Sequence, residues 1–382
     1  MRILVTVDTY APKYDGVQNI TQKHIEELQK KGHQIIVITQ LFDNMSEYEV
    51  INGVHVYRYK LFTKLGIHFG DIKGYVKKVE QITKSVDIML NICTQSATTD
   101  LLLKNIENFK CKKVLYLHGM YNFKYNKQDL KSFKAILIKI WFNLRWRIFY
   151  ITNKDKLSRY DKVININYLD SATNFFSSKY NYNVEIINNF VEDMFFNEEK
   201  NNFDKKNQIV SVSNFSKLKN QKLLLKAFFE LDVEKELVLI LIGSEKNNYL
   251  EELIKEYEFL KNKNPLLKVE FITGISRKNI SKIINESLIF ILGSEVEKVP
   301  VVILEAMASG IPFISTDVGC IRYLPGGFAT NNLKEFTYYL QLLLEHNNVG
   351  KCLGEVGAQY ATENLKLNKL NNKLENILSD LI

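Results

Sequence analysis

The sequence predicts a two-domain α/β protein, each half organised around a mostly parallel sheet. Three observations lead there. The chain has 382 residues, 46% of them hydrophobic and 25% charged, which is enough for a core in each of two ordinary domains. Short β-rich apolar runs alternate with amphipathic stretches along its whole length, the order that gives parallel strands joined by helical crossovers. A polar, mixed-charge stretch from Asn197 to Lys206 separates two such series.

The first series opens with Ile3-Leu-Val-Thr-Val7, a buried-strand pattern. A loop with Pro12, Asp15 and Gly16 follows, then an amphipathic helix from about Val17 to Lys30, stopped by Gly32. Gln34–Thr39, Val54–Arg58, Ile88–Asn91, Val114–Leu117 and Lys162–Ile166 read as further strands. Gln208–Val212, Leu237–Ile242, Lys268–Ile272, Leu288–Leu292 and Pro312–Ser315 form the second series, with helices such as Gln221–Leu231 and Val302–Ser309 between them. The expected domains are therefore 1–196 and 197–382, with the last helix free to pack back on the first domain. Ligands of such sheets bind outside the carboxyl ends of the strands, so the cleft between the domains is the expected site.

Composition narrows the function classes. The N-terminal run meets Asp8 at once, unlike a secretory leader, and no stretch reaches the roughly 18 apolar residues of a spanning helix. A cytoplasmic protein, on its own or peripheral on the inner face of the membrane, is expected. Cys93, Cys111, Cys320 and Cys352 show no C-x-x-C spacing and suggest neither zinc nor a disulfide framework. The formal charge is +8, and residues 121–162 alone hold eleven Lys or Arg against three Asp. That points to a local anionic partner and not to nucleic acid. No G-x-G-x-x-G follows the first strand, and no G-x-x-x-x-G-K-[ST] or D-x-D occurs.

The most informative segment runs Ser294-Glu-Val-Glu-Lys-Val-Pro-Val-Val-Ile-Leu-Glu-Ala-Met-Ala-Ser-Gly-Ile-Pro-Phe-Ile-Ser-Thr-Asp-Val-Gly319. It places Glu297 on a loop after a strand and Glu305 inside the following helix, whose N-terminus near Val301 and Val302 suits a phosphate or sugar hydroxyl. Two solvated helix-end charges are the plain alternative. A second segment, Ser211-Val-Ser-Asn-Phe-Ser-Lys-Leu-Lys-Asn-Gln-Lys-Leu-Leu-Leu-Lys-Ala-Phe228, sets Asn214 and Lys219 after the first strand of the second half. In isolation Lys219 is an ordinary solvent-facing lysine.

Together these segments resemble the E-x7-E signature and diphosphate clamp of the retaining family 4 of GT-B glycosyltransferases (glycosyl transferases group 1). The resemblance implies a GT-B fold, two Rossmann-like domains facing across a cleft, and a nucleotide diphosphate sugar as donor substrate, UDP-linked first. It implies that Glu305 accepts hydrogen bonds from two ribose hydroxyls, that Glu297 faces the donor sugar, and that Lys219 and Asn214 hold the diphosphate. Asn214 stands where arginine is common, which leaves Lys219 as the main cation. Phe271-Ile-Thr-Gly-Ile275 matches a strand ending in glycine, with the backbone of Ile275 against the base. Ile186-Ile-Asn-Asn-Phe-Val191 resembles the family's hinge. In the first half, His118 at a strand end matches a histidine that bonds the donor sugar, and Asp15-Gly16 replaces paired glycines of an acceptor or phosphate loop. An ordinary turn and a structural histidine are the alternatives there. No cofactor and no metal are implied. The acceptor is a saccharide or lipid-linked saccharide of surface polysaccharide synthesis. A nucleotide-sugar 2-epimerase of similar fold and a catalytically silent partner-binding subunit are the rival readings.

The basic stretch contains a helix, Phe133-Lys-Ala-Ile-Leu-Ile-Lys-Ile-Trp-Phe-Asn-Leu-Arg-Trp-Arg-Ile-Phe-Tyr150. Phe133, Ile136, Leu137, Ile140, Trp141, Leu144 and Ile148 share one face. Ile138, Phe142, Trp146 and Phe149 lie among the cations on the other side. Such a helix can bury one face and lay its basic-aromatic residues on an anionic membrane, or pack on both sides with its cations snorkelling out.

Overall fold

A computed structural model describes residues 1–13, 16–125, 128–196 and 205–382. Asp15 lies outside them, as do Asn197 and most of the polar break. The chain forms two compact units, one of Met1–Asn188 with Asn371–Ile382 and one of Asn189–Leu370.

The first unit holds β1 (Arg2–Thr6), β2 (Gln34–Gln40), β3 (Tyr48–Ile51), β4 (Val54–Tyr59), the separate hairpin β5 (Leu61–Lys64) and β6 (Ile67–Gly70), β7 (Ile88–Ile92), β8 (Lys112–Leu117), β9 (Lys162–Asn165) and β10 (Glu185–Ile186). Eight of them make one sheet in the order β10-β9-β8-β7-β1-β2-β4-β3, parallel except for the antiparallel edge pair β3–β4. Its central strands read as unbroken apolar runs because both faces are covered. Ile3, Val37, Met89 and Val114 are all fully buried.

The second unit holds β11 (Gln208–Val212), β12 (Leu237–Gly243), β13 (Leu267–Thr273), β14 (Ile289–Leu292), β15 (Phe313–Ser315) and β16 (Gly327–Ala329). They form an all-parallel sheet in the order β13-β12-β11-β14-β15-β16. Each expected strand is present, with its ends shifted by a residue or two. The unexpected ones are short edge or hairpin strands. The β3–β4 hairpin turns through Asn52-Gly53, both at positive φ, the left-handed pair that a two-residue hairpin loop requires.

The units divide at Asn188, not at residue 196 as the polar break suggested. Val191, Phe195 and Phe196 are buried in the core of the second unit with Val210, Phe290 and Met307, so they belong with it. At the other end the helix Leu367–Ser379 brings Asn371 to His24, with the imidazole Nδ1 2.6 Å from the Asn371 Oδ1. Glu375 meets Lys31 at 2.6 Å and His33 at 2.8 Å.

The long helix Phe133–Thr152 corrects a second expectation. Trp146 and Phe149, assigned to the outward basic-aromatic side, are buried with Tyr150 in the first unit's core. Phe133, Leu137, Ile140, Trp141, Leu144, Ile148 and Ile151 form the exposed apolar stripe, and Ile138 beside it is exposed as well. The buried face wins because it reaches more partners. Phe149 packs edge-on to both Trp146 and Tyr150, and Trp146 lies against Gly66 at the turn of the β5–β6 hairpin. Lys139 turns inward because its ammonium donates to the Asn122 carbonyl at 2.6 Å and meets Asp129 at 3.5 Å. Among the described residues no helix is long and apolar enough to cross a membrane.

Candidate active site

β14 ends at Leu292, and the chain crosses an eight-residue loop to the helix Val301–Ala308. Pro300 precedes that helix, and among the described residues no side chain caps its first turn. The amides of Val301 and Val302 therefore keep the positive end of the helix dipole. Both valines are half-buried at its entrance.

Glu305 lies in the middle of this helix and is 1% exposed. That rules out a solvated helix-end charge. Arg277 Nη2 donates to its Oε1, and Nη1 lies 3.4 Å from Oε2. The same guanidinium reaches Glu192 Oε1 at 3.1 Å and sits 4.8 Å from the Phe195 ring centroid. Burial pushes the Glu305 carboxyl up to about 7, and Arg277 pulls the other way. A carboxylate has about four acceptor sites, so two stay open after a bidentate arginine.

Arg277 was not singled out in the sequence. A signal existed. It is the first residue of the helix Arg277–Glu286, where the dipole disfavours a cation. A cation there implies nearby carboxylates to hold it.

Glu297, on the loop, meets Lys219 at 2.5 Å. Lys219 comes from the segment between β11 and the helix Gln221–Phe228. The loop is braced from below by Gly319, whose φ is +62°. A Cβ there would lie 2.4 Å from the Lys298 carbonyl oxygen and 2.9 Å from that of Glu297. Only glycine allows the close approach. Asn189 adds a bond from its amide to the Val299 carbonyl at 3.4 Å.

Asn214 is exposed just past the end of β11. Ile275 follows Gly274 at the end of β13 and is partly buried against the core. The second unit thus brings Glu297 onto Lys219 and Arg277 onto Glu305. Asn214 follows β11, as Lys219 does, and Ile275 follows β13, as Arg277 does, at the carboxyl ends of the same sheet.

His118 and Gly16 belong to the first unit. His118 follows β8 and stacks on Tyr116 at 4.9 Å. Burial lowers its pKa to about 3, with His24 adding to the effect, so it is a neutral imidazole at neutral pH. Its Nε2 has no partner among the described residues. Gly16 opens the helix Gly16–Lys30, and a Cβ at Gly16 would meet nothing within 4 Å among the described residues.

Two α/β units, each built on a mostly parallel sheet, give the chain the GT-B fold. Residues 193–333 match the family model of glycosyl transferases group 1. The chain is similar to the N-acetyl-alpha-D-glucosaminyl L-malate synthase of Bacillus anthracis, at 25% identity over 218 residues. That match spans 53% of this chain and 55% of the relative, about half the relative's length. Among solved structures, a glycosyltransferase from Rickettsia africae superposes with a TM-score of 0.74 at 18% identity, over 100% of this chain and 98% of the other. Anabaena HepE in complex with UDP gives 0.69 at 14% identity, over 100% of both chains.

Proposed function

We propose that the protein is a retaining, metal-independent glycosyltransferase that moves a sugar from a nucleoside diphosphate sugar to a saccharide or lipid-linked saccharide in surface polysaccharide synthesis. The buried Glu305, inside a helix with an uncapped N-terminus, carries the reading. A carboxylate held away from water by burial and Arg277 is suited to accept two hydrogen bonds from a ribose diol. The amides of Val301 and Val302, a turn earlier, are suited to the diphosphate. A UDP-sugar is the first donor to try, since a solved relative of the same fold was obtained with UDP-glucose.

The chemistry then falls to charge placement. Breaking the sugar–phosphate bond leaves negative charge on the diphosphate, which Lys219, Asn214 and the helix amides stabilise. The acceptor hydroxyl attacks from the same face and passes its proton to a departing phosphate oxygen, which retains configuration. Glu297 opposes the charge developing on the sugar and fixes Lys219. His118, kept neutral, donates to or accepts from a sugar hydroxyl.

Thermal melting with UDP, GDP, ADP and CMP tests the reading. One nucleotide at a hundred times its dissociation constant should add about 2.7 kcal/mol. Stabilisation by none of the four would refute it.

The raised pKa of Glu305 gives a pH dependence with a definite sign. Ribose hydroxyls donate better to the ionised carboxylate, so nucleotide affinity should rise between pH 6 and 8 by about tenfold and level off above. Titration calorimetry on Glu305→Gln should show the rise abolished. A rise that persists in the variant would assign it to another group.

Gly319→Ala should displace the Glu297 loop. Expected are a melting point lower by a few degrees, for roughly 1–2 kcal/mol of strain, and a turnover loss of at least tenfold. Unchanged turnover would show that the loop tolerates the shift.

The exposed stripe of the helix Phe133–Thr152 is proposed as the membrane-facing surface, in place of the Trp146 side. Leu65 at the hairpin turn lies beside it, its carbonyl accepting from the Trp141 indole at 2.9 Å. Lys134 and Arg145 flank the stripe on one side, Arg147 and Lys154 on the other.

A further inference from the structure

At the carboxyl ends of β8 and β9 the first unit encloses a cavity of about 600 Å³, open on one side. Its walls are aromatic, from Tyr121, Phe123, Tyr150, Phe175 and Tyr180. They are mutually braced. Phe175 packs on Tyr150 at 4.8 Å and on Tyr180 at 5.6 Å, and the Tyr180 hydroxyl donates to the Tyr150 carbonyl at 3.1 Å. Among the described residues the lining includes four cations, Lys124, Arg147, Lys154 and Lys179, and no carboxylate. All four are exposed, and none has an ion pair among the described residues. The Tyr121 hydroxyl is buried and has no hydrogen-bond partner among the described residues. Ile151, 75% exposed, stands at the rim. It is the last residue of the exposed stripe, so the apolar surface of the helix runs into the cavity.

An aromatic cavity whose charged groups, among the described residues, are all cations selects a ligand with an apolar body and an anionic head. The size is that of a small-molecule site, too small for two acyl chains. The position outside the carboxyl ends of parallel strands is where such sheets bind ligands. We propose that this cavity binds a single-chain lipid phosphate, the hydrocarbon against the aromatic walls and the phosphate among Arg147, Lys154, Lys124 and Lys179, with the Tyr121 hydroxyl donating to it. The proposal rests on the glycosyltransferase reading for its role, since the occupant would be the lipid-phosphate end of the acceptor. The cavity itself stands apart from that reading.

The test is titration calorimetry on the full chain with farnesyl phosphate below its micellar concentration. Farnesol, inorganic phosphate and dihexanoyl phosphatidylglycerol are the comparison ligands. Farnesyl phosphate is expected to bind at least tenfold more tightly than each. Arg147→Glu with Lys154→Glu should weaken it at least tenfold, and Ser171→Trp, which fills the cavity from its rim, should do the same. Melting with the nucleotide that stabilises wild type verifies that each variant is folded. Equal binding of farnesol, tighter binding of the two-chain lipid, or full affinity in both variants would overturn the proposal. Binding of farnesyl phosphate by a protein that no nucleotide stabilises would support the cavity and remove the transferase role.

Discussion

Arg277→Ala is expected to destabilise the second unit by about 3 kcal/mol at pH 8, because it strands a carboxylate inside the fold. Breaking a buried pair by removing one partner costs about 3–5 kcal/mol. Glu305 escapes part of that by taking up a proton, since burial already pushes its pKa to about 7. In a unit of this size 1 kcal/mol moves the melting point by roughly 2–4 °C, so a drop of about 6–12 °C is expected. The drop should shrink toward pH 5. A carboxyl whose folded pKa lies above its unfolded value stabilises the fold at low pH and loses that contribution as pH rises through the folded value. Removing the guanidinium raises the folded value further and enlarges the loss at high pH. Adding Glu305→Gln to Arg277→Ala should recover much of the melting point without recovering nucleotide binding. An equal drop at pH 5 and pH 8 would place the damage in lost packing on Phe195 instead.

Lys219→Ala should leave the fold nearly intact and abolish most turnover. The Lys219–Glu297 pair is part-exposed, with side chains 30% and 14% accessible, and such pairs contribute about 0–1 kcal/mol to stability. Removing one donor aimed at developing charge costs about 10²–10³ in kcat. Glu297→Gln should separate the two residues. It frees the ammonium from its carboxylate, so nucleoside diphosphate should bind as well or more tightly while kcat falls at least a hundredfold. Steady-state kinetics and melting on both variants would show this opposite movement of binding and turnover. Parallel loss of both in Glu297→Gln would make the glutamate a mere support for Lys219.

The parts legible in the sequence are those whose physics is local. Central strands such as Val210 and Ile291 are buried on both faces and read as apolar runs. The helix holding Glu305 is legible because a strand, a loop and a glycine stop bracket it within twenty-odd residues. The Asn52-Gly53 turn carries a local signal as clear, and the β3–β4 hairpin could have been read from it. Arg277 could not be found by spacing, since its carboxylates lie 85 and 28 residues away in the chain. The orientation of the helix Phe133–Thr152 failed for a related reason. Both of its faces are apolar enough to bury, and the choice was made by partners distant in sequence, Gly66 and Asn122 among them. The polar stretch and the division at Asn188 differ because a polar stretch marks where the chain is solvated, not where one core ends. Phe195 and Phe196 belong to the core that follows.

The return of residues 371–382 to the first unit sets an order of events on the ribosome. His24 and Lys31 are made early, yet Asn371 and Glu375, their partners, follow the 182 residues of the second unit, counted from 189 through 370. At roughly 5–20 residues per second the first unit waits about 10–40 s with that flank open. The second unit has no such debt and can close as soon as it emerges, so the later-made half is the one able to finish first.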